Sequence, residues 1–410
     1  MKQTAGICKK NSGFTDRRSN YMKTGQNRKS GKLTAFFRSA GMILAFMGIG
    51  FFCGIAMVSI MESAGEISDG QVWEMMLILL IGLYVSMFLQ IAAHEWGHYL
   101  FGRLTGYRFA SFRLGSFMLI RQDGKLRLKR FSLAGTAGQC LMDPPDMDAD
   151  GRFPYVLYNL GGSIVNLVLG LAGIGLALVP GIPAAAAGIL FVFAITGIGF
   201  ALLNGIPMQT AMVNNDGYNA MSLGKSPAAL RSFWIQMKGN VLTSRGIRTK
   251  DMPAEWFGIP SPEELQNPMT AVLGVLTCNR LMDEGKIAET EATIADLLNR
   301  ETAVVELHRY LLVCDRIFCL LVLGRAEEAA VLYDKKQKKN MKAVRNLPSV
   351  LRTCYSIALL LEKDAGLAEK IRQQFDSCEK TYPYPVECAG ERELMLLAEQ
   401  AARISEPAVS

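Results

Sequence analysis

Two of the chain's three histidines stand four residues apart in His94-Glu95-Trp96-Gly97-His98, near the end of an apolar run that begins around Trp73. On a helix a four-residue step nearly completes a turn, so both imidazoles share one face and can hold one metal ion. Glu95 beside them is placed to take a proton from water. The chemistry implied is that of a zinc hydrolase, with His94 and His98 as ligands and Glu95 as general base. The rival readings of the same five residues are a chance match and a non-catalytic site.

A third ligand has to come from elsewhere. Asp216, in Asn214-Asn215-Asp216-Gly217, offers a carboxylate, and zinc accepts mixed imidazole and carboxylate ligands while leaving a position for water. An Asp-Gly pair also closes surface turns, and on the residues alone both readings stand. One uninterrupted helix from Gly188 would carry Asp216 about 42 Å away. Gly205 and Pro207 must therefore break that helix and let the chain bend back, which is tolerated at membrane depth where backbone lines a protein-enclosed polar cavity.

The elements that position these residues are membrane helices. Half of the 410 residues are hydrophobic, and the long apolar runs all lie before about residue 206. They read as spans near 40–61, from Trp73 through the motif, Tyr155–Val179 and Ala184–Leu203, about four in all. Orientation follows from charge. Residues 1–38 hold ten Lys or Arg against one acid, Asp16; the connection 62–71 holds Glu62, Glu66 and Asp69 with no base; 103–130 holds eight Lys or Arg. The positive-inside rule then places the amino terminus and the post-motif loop in the cytoplasm. His94 lies about 32 Å along the helix from Trp73, toward the cytoplasmic side of a cell membrane, where a His pair and a Glu are expensive unless they line a polar or metal-filled interior.

The net charge of +7 collects in the tail and in that loop, which suits an anionic lipid leaflet; nothing in it reads a nucleic acid. Nine cysteines without a CxxC pair describe free thiols rather than a disulfide framework. Between Phe109 and Leu133 the alternation in Lys125–Arg130 and the turn at Asp123-Gly124 predict a small amphipathic hairpin, either structural or an edge that receives an extended substrate. The acidic run from Asp143 to Asp150 reads as a solvated loop. From about 270 the pattern is helical and amphipathic, and Gly285 and Gly324 recur 39 residues apart in similar surroundings, close to the period of helix-pair repeats. His308 there reads as an ordinary helix residue.

The expected fold is an all-α polytopic membrane protein with a small hairpin in its cytoplasmic loop and a C-terminal cytoplasmic helical repeat-like domain. Its divisions are a basic flexible tail at 1–38, a membrane domain at 39–222, a Pro-containing linker at 223–269 and a soluble helical domain at 270–410.

Taken together, the HExxH, Gly161-Gly162-Ser163-Ile164-Val165-Asn166 and Asn204-Gly205-Ile206-Pro207 followed by Asp216-Gly217 make residues 73–222 resemble the site-2 protease family of intramembrane zinc metalloproteases, the M50 peptidases. Ser163 stands where that family usually has Pro, and the step from Asn204 to Asp216 is longer than its common pattern. The resemblance implies zinc held by His94, His98 and Asp216, Glu95 activating water, and Asn166 and Asn204 near the substrate or active site. It implies a membrane-embedded polypeptide as substrate. The C-terminal region weakly resembles tetratricopeptide-type helix pairs, which implies a protein partner. The alternative to an enzyme is a non-catalytic scaffold or zinc-binding protein acting through that helical domain.

Overall fold

The computed structural model describes residues 69–122, 124–131, 137–208 and 214–405, with a few positions between 47 and 55. The tail at 1–38 and most of the span expected at 40–61 lie outside the described residues. Among these residues three helices are long and apolar enough to cross a membrane: α1 (Asp69–Leu104, apolar from Trp73), α2 (Val156–Ala177) and α3 (Ala184–Gly205).

The sequence of α1 is amphipathic in the inverted sense. Ser86, Gln90, His94 and His98 recur at four-residue steps and are buried, whereas Leu77, Leu80, Tyr84 and Phe88 are exposed. In water this helix would have no reason to hide its polar stripe; in hydrocarbon the apolar side belongs outside and the stripe must find partners within the bundle. Small residues let those partners come close. A Cβ on Gly97 would collide with the Gly161 carbonyl oxygen of α2, and one on Gly162 would stand 2.5 Å from the His94 ring. Farther along α2, Gly170 and Gly173 admit Ala194 and Ile198 of α3 in the same way.

Between α1 and α2 the chain forms a four-stranded antiparallel sheet in the order β3-β2-β1-β4, from β1 (Arg108–Leu114), β2 (Phe117–Gln122), β3 (Lys125–Arg130) and β4 (Gly138–Asp143). The expected hairpin is present as β2 and β3, with Phe117 opposite Arg130 and Gln122 opposite Lys125. Two further strands flank it on one side, so the element is larger than the alternation in 125–133 indicated. β1 and β4 expose one residue each and lack a clean apolar-polar alternation, which is why period alone does not reveal them. β4 lies against α1, with Met142 packed on Gly102.

The segment 223–269, expected as a linker, contains α5 (Pro227–Ser244), which packs against β4. Leu230 and Met237 of α5 share a core with Tyr107, Cys140, Met142 and Tyr158. Lys238 and Arg245 pair with Asp143 at 3.0 and 2.6 Å, and Lys238 reaches Asp146 at 3.1 Å. The start of the acidic run, read as solvated, is thus neutralised by this helix. The remainder is helical: α6 (Pro268–Asp283), α7 (Ile287–Asn299), α8 (Glu306–Val322), α9 (Ala326–Leu332), α10 (Lys335–Ala343), α11 (Pro348–Ser356) with a π-turn through Leu361, α12 (Ala365–Thr381) and α13 (Pro385–Ser405). Gly285 and Gly324 end α6 and α8 with φ of +71° and +76°, a left-handed cap that a side chain would strain. The helical part touches the sheet through Phe131, whose ring meets those of Tyr382 and Tyr384, and through Gln122, which donates to the Pro383 carbonyl at 3.0 Å.

Gly97→Ala forces a methyl into the Gly161 backbone, and overpacking of this kind costs about 1–3 kcal/mol or more. The expected result is a lower unfolding temperature in detergent, with Trp96→Leu on the exposed side of the same turn unchanged; differential scanning fluorimetry of the two variants reads it.

Candidate metal centre

His94 and His98 face α2 and α4 (Asp216–Ser222). Their Nε2 atoms are 3.2 Å apart, and Asp216 Oδ2 lies 3.1 Å from His94 Nε2 and 3.4 Å from His98 Nε2. The two rings are near perpendicular, at 84°. A tetrahedral ion with bonds of about 2.0–2.1 Å separates its ligand atoms by about 3.3 Å. The three atoms already describe one face of that tetrahedron, and they are the group among the described residues whose donor atoms converge closely enough to hold an ion.

Hydrogen bonding settles which ring nitrogens carry lone pairs. His98 Nδ1 meets the Tyr158 carbonyl oxygen at 2.7 Å; a carbonyl only accepts, so Nδ1 donates. Asn166 donates through Nδ2 to the Gln90 carbonyl at 2.8 Å and to Gln90 Oε1 at 2.7 Å, which orients its amide. Asn166 Oδ1 therefore accepts from His94 Nδ1 at 2.7 Å. In the neutral rings both Nε2 lone pairs point at each other and at a carboxylate oxygen. Three such atoms repel unless a positive charge stands among them; a shared proton serves two of them, a metal ion all three.

Asp216 reaches this point because the helix does break. α3 ends at Gly205, and Asn215 fastens the returning chain to that end. Its Nδ2 donates to the Leu203 carbonyl at 2.8 Å and the Ile206 carbonyl at 2.6 Å, while its Oδ1 accepts from the Met208 and Tyr218 amides at 2.8 and 2.9 Å. One side chain thus caps the end of α3 and the start of α4 together. A Cβ on Gly217 would collide with the Gly205 oxygen, so the Asp-Gly pair is seated on the helix end rather than at a surface turn.

Glu95 is buried beside the histidines, against β4. A Cβ on Gly138 would stand 2.5 Å from Glu95 Oε1. Of the remaining residues singled out in the sequence, Asn166 joins the cluster, whereas Asn204 donates to Phe200 in its own helix at 3.1 Å and makes no hydrogen bond to it. Ser163 leaves its buried hydroxyl without a hydrogen bond. Tyr158, Asn215 and Gly138 hold or admit the central groups and carry no motif. The four-residue step from His94 back to Gln90 was the one signal for the outer partners.

An HExxH on an apolar helix, completed by a carboxylate from a broken helix end, defines a membrane metallohydrolase. The chain belongs to peptidase family M50, whose model matches residues 82–382. It is accordingly a zinc metalloprotease of the site-2 type, in a family of membrane proteins. No curated protein and no solved structure matches it.

Purified chain is expected to carry one zinc by elemental analysis, and His98→Ala or Asp216→Ala to lose it. Asn166→Ala frees one imidazole to turn and is expected to weaken zinc binding about 10–100-fold, measured by competition with a chelator.

Proposed function

We propose that the protein is an intramembrane endopeptidase that hydrolyses a peptide bond of a membrane-spanning or membrane-associated polypeptide near the cytoplasmic face. The observation that carries this reading is the convergence of His94 Nε2, His98 Nε2 and Asp216 Oδ2 at 3.1–3.4 Å on the inward face of an apolar helix. His94, His98 and Asp216 are the zinc ligands in this reading. When bound, zinc polarises a scissile carbonyl and acidifies the attacking water. Glu95 takes the proton of that water and passes it to the leaving amine nitrogen. The backbone at Gly138, which leaves no room for a side chain, lies against its carboxylate. Asn166 and the Tyr158 carbonyl hold both imidazoles in the tautomer that leaves Nε2 free.

A helical substrate hides its carbonyls, so it has to be extended to react. β4 is an edge strand beside Glu95, and backbone pairing on that edge presents an extended segment to the base. The charge balance of the loops supports an amino terminus and helical domain in the cytoplasm. A scaffold without activity has no necessary task for Glu95, a carboxylate buried beside the two histidines.

Glu95→Gln is expected to keep zinc and lower the rate of cleavage of a membrane peptide about 10²–10⁴-fold. Reconstituted protein with labelled transmembrane peptides measures this; a variant that cleaves at the wild-type rate removes Glu95 from the mechanism and the protease reading with it.

A further inference from the structure

Buried polar side chains in the membrane part find partners almost throughout, so those that do not stand out. Among the described residues of α1 to α4, two buried side-chain atoms have no hydrogen-bond partner: Ser163 Oγ and Asn219 Oδ1. Asn219 is only half-buried as a residue. Ser163 is 7% exposed.

The helix does not force this orphan. A hydroxyl in a helix can return to the carbonyl four residues back, as Thr196 does toward Val192 and Thr105 toward Phe101, both at 2.7 Å. Ser163 has Asn159 at that position and makes no such bond. An unmet hydroxyl away from water destabilises the resting fold. The group is satisfied by something that enters from outside the fold.

Its position says what enters. Ser163 follows Gly162, whose backbone lies against the His94 ring, and stands one turn before Asn166, which holds His94 Nδ1. On its other side, Ser163 Cβ and Oγ lie 3.3 and 3.4 Å from where a Cβ on Gly205 would stand. Gly205 is the helix end on which Gly217 is seated, next to Asp216. The hydroxyl is therefore at the seam between α2 and the broken end of α3, beside the metal ligands. Glu95 and Gly138 form one flank of the centre, and this seam forms another. A polypeptide extended across the centre brings carbonyls that have lost their helical partners. A buried donor and an unpaired acceptor complete each other.

We propose that Ser163 is a substrate-binding residue, whose hydroxyl donates to a backbone carbonyl of the extended polypeptide on the Asp216 side of the metal centre. The assignment rests on the endopeptidase reading and deepens it. Recognition at this point reads backbone that has left the helix and is indifferent to the substrate's side chains.

The test uses the full-length chain in detergent, carrying Glu95→Gln so that a bound peptide survives. The probe is a fluorescein-labelled transmembrane peptide of Leu and Ala with flanking Lys and a central Gly-Ser-Gly that lets it extend. Fluorescence anisotropy reads peptide affinity, differential scanning fluorimetry the fold, and elemental analysis the zinc. Adding Ser163→Ala is expected to weaken peptide binding about fivefold, the effect of one hydrogen bond. Zinc content is expected to stay unchanged. The unfolding temperature is expected to equal or exceed that of the parent, because deleting an unpartnered hydroxyl relieves the resting fold. Ser163→Cys, which fills the same space with a weaker donor, is expected to bind the peptide with intermediate affinity. A lower unfolding temperature or lost zinc in Ser163→Ala would show a hydroxyl bound within the fold and overturn the proposal. Peptide binding that is insensitive to both substitutions overturns the contact alone. A Glu95→Gln chain that holds zinc and binds no peptide overturns the endopeptidase reading, and the contact with it.

Discussion

The structure depends on one requirement: polar groups placed inside an apolar bundle must all be met from within. Water is not there to complete a hydrogen bond, and an orphaned imidazole or carboxylate costs several kcal/mol. The bundle meets the requirement in sequence. Phe193 accepts from Gln90, Gln90 accepts from Asn166, Asn166 accepts from His94, and the Tyr158 carbonyl accepts from His98. Each link joins two helices, so the relative rotation of α1, α2 and α3 is set by hydrogen bonds together with the close packing at the glycines.

Much of this was legible in the sequence because the chemistry is local. HExxH points to two candidate ligands and a candidate base by helical geometry, and apolar length points to the spans. Asp216 was legible as a candidate and the bend that carries it was inferred from Gly205 and Pro207, but the fastening came from Asn215, whose four hydrogen bonds are long-range relations that no spacing encodes. Asn204, picked out by resemblance, turned out to spend its amide within its own helix. β1 and β4 were invisible for a different reason. With one exposed residue each, they lack the two-residue period of a half-exposed strand. The segment 223–269 looked like a linker because its prolines are conspicuous, yet Ser226 and Pro227 form a helix start, with the Ser226 hydroxyl accepting from Ala229.

The helical part is more than an appendage to the membrane part. Phe131 leaves the end of β3 and inserts between Tyr382 and Tyr384, and α5 grips β4 from the opposite side through Asp143. The sheet that forms the wall against Glu95 is consequently held at both edges by the chain beyond the last described span. The family match runs through 382, to the residue whose ring receives Phe131. Arg113, almost fully buried in β1, links these layers: it donates to the carbonyls of Gly115 and Gly138, and its charge lies within reach of both Glu95 and Tyr384.

The glycines at 97, 138, 162 and 217 give the site a particular evolutionary character. Each stands where a methyl group would meet a backbone carbonyl, the His94 imidazole or the Glu95 carboxylate. Alanine is the smallest step available to any of them, and it is already too large. These positions have no conservative neighbour in sequence space, whereas the lipid-facing residues of the same helix can exchange freely among apolar types. Drift in such a protein is therefore channelled to its outer surface, and the interior changes only when two helices move together.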